Sequence, residues 1–369
     1  MSLVDSFITR NRNALIKLER FIVYKRLRAQ YKKLLKTHDI EDKKVEGEDA
    51  YLQKWSALSN HVEPYSYRLF CHYCGHTPNI VPEDIGHSVI EAALNPEYYR
   101  PAYSDKNLFP LFVGKDNVPR IVMCRINGGI LLDGNYQKAD KDLSAYIGDA
   151  RALILKPSQN GHSGIGIIKF VKQGDAFVSS DGKKVLTKDF LRSYSQNFCL
   201  QETVEQHAFM RSLCSTCVNT LRLCIYRSVI DNEPILTAGI IRIGKEGSVV
   251  DNINSGGLRV GIQLSTGELS LYGINQAGER HEVWNDVDFT KERLFVPNWD
   301  KVAEFAKEIG RKILHHRLLA LDIAIKADGS PILIEYNIGY FSYAAFMYTN
   351  QEVFGKHTDE VIAYCKKMK

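Results

Sequence analysis

The sequence predicts an α+β fold. Three observations lead there: short β-like runs joined as hairpins from residue 105 onward, helical stretches between some of them, and a largely helical first hundred residues. The runs are Arg120-Ile121-Val122-Met123-Cys124, Ala152-Leu153-Ile154-Leu155-Lys156 and Gly166-Ile167-Ile168-Lys169-Phe170. Strand pairs follow at 220–228 with 235–243 and at 321–325 with 331–337. Three regions result: a helical part over 1–104 and two α+β subdomains over 105–200 and 201–369.

Each element has its own signal. Leu15, Leu18, Phe21, Ile22, Leu27, Tyr31, Leu34 and Leu35 recur at helical spacing and predict a helix over about 6–37. Arginines and lysines crowd its other positions, and an acidic segment, 41–49, follows as a link. Such a basic amphipathic helix can pack on the body with a solvated face, or touch an anionic membrane surface or a protein partner. Residues 50–104 read as helical and irregular. Lys188-Asp189-Phe190-Leu191 is helical, and 300–314 is an amphipathic helix with Asp300 as candidate N-cap.

Composition bounds the function. The chain has 369 residues, enough for two or three packed units. Its net charge of +5 is too mild to point to nucleic acid. No apolar run approaches the ~18 residues of a membrane span, and Met1-Ser2-Leu3-Val4-Asp5 lacks a signal-peptide pattern. The expectation is a cytoplasmic protein with reduced thiols. Two C-x-x-C pairs, Cys71/Cys74 and Cys214/Cys217, raise zinc, but their 140-residue separation argues against a shared site.

The most informative stretch is Leu321-Asp322-Ile323-Ala324-Ile325, an Asp328-Gly329 turn signal, and Pro331-Ile332-Leu333-Ile334-Glu335-Tyr336-Asn337. A turn centred on Asp328-Gly329 sets Asp322 opposite Glu335. Facing carboxylates repel unless a cation lies between them. Asn337 shares the face of Glu335. Asp322, Glu335 and Asn337 thus form a hard-oxygen cluster suited to Mg2+ carrying a nucleotide. A surface hairpin with solvated polar residues fits the same residues.

Other segments carry complementary chemistry. Lys156 ends a strand before a polar, glycine-rich loop containing His162, Ser163, Gly164 and Gly166, whose amides can cradle phosphate. No Walker motif is present. Asp105-Lys106 precedes a helix start and offers a second phosphate lysine. Gln201-Glu202-Thr203-Val204-Glu205-Gln206-His207 leaves a strand and can present backbone to an adenine edge. Arg222 and Arg242 sit in apolar strands and therefore need carboxylate or phosphate partners.

In their order and spacing these pieces resemble the ATP-grasp superfamily, most closely its sugar-transfer-associated branch, with a distant likeness to the ribosomal-protein glutamate ligases. The likeness runs from about Asp105 to the C-terminus. Asp105-Lys106 and Lys156-Pro157 match the two nucleotide lysines. The loop from Ser158 to Gly166 matches the phosphate cover, and Gln201-Glu202-Thr203-Val204 the adenine hinge. Asp322, Glu335 and Asn337 match the magnesium positions. Asn219-Thr220-x-Arg222, Arg242-Ile243-Gly244 and Gly256-Gly257 look like the branch's signature. The resemblance implies two subdomains sandwiching ATP and a carboxylate–amine ligase acting through an acyl phosphate, with Arg242 and Arg222 stabilising that intermediate. A kinase acting on a hydroxyl and a non-catalytic nucleotide-binding scaffold are the competing readings. The branch's name suggests surface-polysaccharide or sugar modification.

Overall fold

The computed structural model describes residues 3–159 and 165–368. His162, Ser163 and Gly164 lie outside the described residues. The described residues build two large antiparallel sheets, each with its own core, a short ribbon pairing Val283–Trp284 with Val287–Asp288, and an N-terminal helical region packed on the larger sheet.

The smaller sheet holds β1 (Ile121–Arg125), β2 (Leu132–Asp133), β3 (Ala152–Pro157), β4 (Ile168–Gln173), β5 (Ala176–Ser179) and β6 (Phe198–Glu202), in the order β2-β1-β6-β3-β4-β5. Alternation sorts its side chains. Leu153, Leu155, Phe198 and Leu200 enter one core, while Ile154, Lys156 and Gln201 point the other way.

The larger sheet holds β7 (Thr220–Arg227), β8 (Pro234–Ile243), β9 (Leu258–Ile262), β10 (Leu269–Ile274), β11 (Arg280–His281), β12 (Leu318–Ile325) and β13 (Pro331–Asn337). Its order is β11-β10-β9-β8-β7-β12-β13. One face carries Leu221, Leu223, Ile241, Val260, Leu321 and Ile323 against the helix Trp299–Lys312. The N-cap of that helix is Asn298, not Asp300, in a left-handed conformation at φ 52°.

The opposite face of the same sheet meets the N-terminal region. Cys224, Tyr226, Ala238, Ile240, Leu318 and Ala320 pack there with Tyr31, Tyr51, Trp55, Tyr67 and Phe70. These aromatic residues come from α1 (Leu3–Thr37), α2 (Glu48–Ser56) and α3 (Tyr65–Cys74). Helix α1 begins three residues earlier than expected, and its inner residues Leu27, Tyr31 and Leu35 are buried.

The β12–β13 hairpin sets Asp322 opposite Glu335, as the sequence implies, but by a different route. The turn is one residue longer than expected: Lys326 N–H donates to Ser330 O and Gly329 N–H to Lys326 O. Ile325 therefore faces Pro331, and Ile323 faces Leu333. The ladder then shifts by one between Ile323 and Asp322, leaving Ile334 as a bulge. The two offsets cancel at the carboxylate pair.

All eight cysteines are free. Cys214 Sγ and Cys217 Sγ lie 3.4 Å apart. Among the described residues no group of three or more His, Cys, Asp or Glu side chains is placed to hold a metal ion, so neither C-x-x-C pair builds a zinc site there. Among the same residues no helix is long and apolar enough to cross a membrane.

Candidate active site

A cleft of about 650 Å³ lies between the two sheets. Ten of the residues singled out from the sequence line it: Lys106, Lys156, Gln201, Glu202, Val204, Arg222, Arg242, Asp322, Glu335 and Asn337. Gly166 and His207 do not. Gly166 has φ +80° and its carbonyl accepts from Tyr194 Oη. His207 caps the helix Ala208–Leu213, its Nδ1 accepting from Phe209 N–H at 3.2 Å. That bond commits Nδ1 of its ring to the helix cap.

Register assembles the polar floor. Glu335, Asp322 and Arg222 are cross-strand neighbours on β13, β12 and β7. Arg242 on β8 pairs with Thr220, two residues along β7. Arg222 Nε and Nη2 donate to the two Asp322 oxygens at 2.8 Å each, a bidentate clasp. Arg242 Nη1 adds a third bond to Asp322 at 3.0 Å, and its Nη2 reaches Asp251 Oδ1 at 2.5 Å. Thr220 N–H and hydroxyl both donate to the other Asp251 oxygen.

Electrostatics follow from this network. Burial pushes the Asp322 carboxyl up, but Arg222 and Arg242 outweigh it and hold the pKa below the usual range. Arg242 moves the other way for the same reason: Asp251 and Asp322 overcome burial and raise it. From the sequence Asp251 reads only as part of a polar, glycine-rich turn ending at Gly256-Gly257, not as a partner of Arg242. Its signal was indirect, since a strand arginine demands a carboxylate whose position the spacing does not specify.

The lysines occupy the opposite side of the floor. Asp105 caps the turn Lys106–Leu108 by accepting from Asn107 N–H at 3.0 Å, and its other oxygen accepts from Gln159 at 2.8 Å. Lys106 N–H donates to Ser158 O, tying this turn to the end of β3. Lys106 Nζ then reaches Glu335 Oε1 at 2.8 Å. Lys156 is buried, and among the described residues no carboxylate lies within 4 Å of it. Burial, reinforced by the Lys106 ammonium, lowers its pKa.

Above this floor the walls turn apolar, with Ile154, Ile167 and Val204 facing Ile334. Glu202 turns outward to Arg120, 2.7 Å away. The hinge is fixed at both ends: Thr203 N–H donates to Ala152 O, and His207 N–H to Ile325 O. Among the described residues the Val204 N–H has no protein partner.

The helical region also reaches the cleft. Glu91 accepts from Tyr340 N–H and Phe341 N–H at 2.9 Å each, and Glu83 from Ala344 N–H at 2.9 Å. Tyr340 and Ser342 line the cleft just after β13. Tyr340 holds φ 54°, a costly conformation for a bulky residue.

A family model described as sugar-transfer associated ATP-grasp matches residues 90–361. No curated protein matches the chain. Among solved structures, D-cycloserine synthetase DcsG is 12% identical over 74% of this chain and 73% of its own, with a TM-score of 0.40. The ADP complex of purK, N5-carboxyaminoimidazole ribonucleotide synthetase, is 13% identical over 68% of this chain and 51% of its own, at 0.38. An L-amino acid ligase from Bacillus licheniformis is 9% identical over 66% and 42%, at 0.34. The chain thus spans about half the length of the purK structure and less of the Bacillus ligase. The family match covers well over half of the chain, and its region contains both sheets and the whole polar floor between them. The chain belongs to the sugar-transfer associated ATP-grasp family.

Proposed function

We propose that the protein is an ATP- and Mg2+-dependent ligase that joins a carboxylate to an amine. The observation that carries this reading is Lys156: a buried ammonium beside Lys106, with no carboxylate within ion-pair distance among the described residues. A buried cation without a counter-charge is unfavourable unless a ligand supplies one. A nucleotide triphosphate does so, with its phosphates between Lys106 and Lys156. Its base would lie between Ile154, Ile167 and Val204 and meet the unpartnered Val204 N–H.

The donor set fits magnesium. Glu335 Oε2 and Asn337 Oδ1 accept from no described residue, and Asp322 Oδ1, with one guanidinium bond where Oδ2 has two, keeps a lone pair. Glu335 and Asn337, backed by Asp322, would hold the ion, which supplies charge neutralisation to the phosphates.

The reaction has two steps. A substrate carboxylate oxygen attacks the γ-phosphorus and ADP leaves. An amine nitrogen then attacks the acyl carbon of the mixed anhydride, and phosphate leaves. Arg222 and Arg242 would stabilise the charge of the acyl phosphate and of the collapsing oxyanion. Holding two substrates against the nucleotide supplies further rate by orientation.

The test is a screen of amino acids and uronic acids as paired substrates, following phosphate release and product mass. Free phosphate that appears only with both substrates, together with a condensed product, supports the reading. A stable phosphorylated product would make the protein a kinase instead. Nucleotide binding with no turnover across the screen would favour the scaffold.

A further inference from the structure

Helix α1 changes its apolar face along its length. At ~100° per residue, Leu27, Tyr31 and Leu35 fall within an arc of about 80°. All three are 5% exposed or less, and they bind the helix to the body. Leu15, Leu18 and Ile22 fall within about 60° of one another, centred about 170° from that arc. They are 66%, 55% and 57% exposed, and Phe21 at their edge is 53% exposed. The body cannot cover this second stripe, because it lies on the far side of the helix.

The same outer side continues toward the C-terminal end as a run of cations. Lys25, Arg26, Lys33 and Lys36 follow the stripe at helical spacing, and all are exposed. Between Arg20 and Thr37 there are six lysines and arginines and no carboxylate. The Lys25 ammonium sits 4.8 Å over the Phe21 ring, where the two zones meet.

We propose that this outer face of α1, from Leu15 to Lys36, docks on an anionic lipid surface. The two zones match the layers of such a surface: apolar side chains enter the acyl boundary while lysine and arginine meet the phosphates. A second copy is the weaker occupant. Parallel pairing of the stripes would place Lys25, Arg26, Lys33 and Lys36 against their own copies. Helix α1 lies on the surface rather than through it, since no described helix has the length and apolarity of a span.

The experiment is co-sedimentation of the full chain with vesicles of phosphatidylcholine, with and without phosphatidylserine. Binding to the anionic vesicles is expected to be at least about tenfold the stronger and to weaken in high salt. Leu18→Ser with Ile22→Ser should reduce it about tenfold, and so should Lys33→Glu with Lys36→Glu. Thermal melts of both variants should match the parent, because all four side chains are exposed. Equal binding to both vesicles, no binding, or variants that bind like the parent would overturn the proposal. A concentration-dependent dimer abolished by Leu18→Ser with Ile22→Ser would also overturn it, with a second copy as the occupant.

Discussion

Lys106 Nζ and Glu335 Oε1 are 2.8 Å apart, and the pair joins the turn Lys106–Leu108 to the β12–β13 hairpin. Under the proposed function, a metal-bound triphosphate would compete with this contact. Glu335→Gln keeps the shape and removes the charge. Phosphate release with magnesium and a true substrate pair should fall by about 100-fold or more. Lys106 loses its counter-charge but keeps an amide oxygen to donate to, so stability should fall by at most about 1 kcal/mol, read by thermal unfolding. Chelation by EDTA should stop turnover of the parent without lowering its melting temperature. Undiminished turnover in the variant would remove Glu335 from the metal assignment.

Asp322 depends on its guanidinium partners for burial. Arg222→Met removes the bidentate bonds and leaves a carboxylate inside the floor with Arg242 alone. The expected loss is about 3–5 kcal/mol, read by urea denaturation. Arg222→Lys should rescue little, because an ammonium cannot make the paired contact. Arg222→Met combined with Asp322→Leu should recover much of the stability but none of the activity. Recovery of turnover in the double variant would make the network structural only.

The buried Asp84 carboxyl makes stability depend on pH. Burial, then the Glu63 charge, pushes its pKa to about 7, and its Oδ1 has no partner among the described residues. The folded pKa therefore lies above the unfolded value of about 4. Stability is fully present below pH ~4 and is lost as pH rises through about 7, with a slope of at most ~1.4 kcal/mol per pH unit. Asp84→Asn should flatten the melting temperature across that window and raise it at alkaline pH. An unchanged pH profile would show that Asp84 ionises normally.

Much of the cleft was legible because its charges lie in apolar strands, where a lysine, arginine or aspartate has few cheap explanations. Asp322, Glu335, Arg222 and Arg242 announce themselves this way. Their meeting depends on strand order, which brings β8, β7, β12 and β13 side by side. The Asp322–Glu335 pairing was legible through two compensating offsets, a longer turn and the Ile334 bulge. The strands Leu258–Ile262 and Leu269–Ile274 were not, since Arg259, Gly261 and Gly273 break the alternation of β propensity. Nor could spacing reveal that Glu83 and Glu91, some 250 residues upstream, hold the backbone after β13. That contact exists only once the helical region has docked.

Tyr340 is the residue whose conformation asks for a reason. It is 72% exposed, lines the cleft, and sits at φ 54° with Arg100 stacked 5.7 Å from its ring. Glu91 imposes the geometry by accepting from two successive amides. Strain of this kind costs about 1–3 kcal/mol and persists where function requires it. Tyr340→Gly should therefore raise stability by up to about 1 kcal/mol, since glycine adopts positive φ freely. Tyr340 follows the Asn337 end of β13 in the chain, so its ring should contact an acceptor or carboxylate rather than the base. KM for one of those substrates should rise about tenfold in Tyr340→Gly, while KM for the nucleotide stays put. A variant that is stabilised with every KM unchanged would assign the strain to folding of the loop alone.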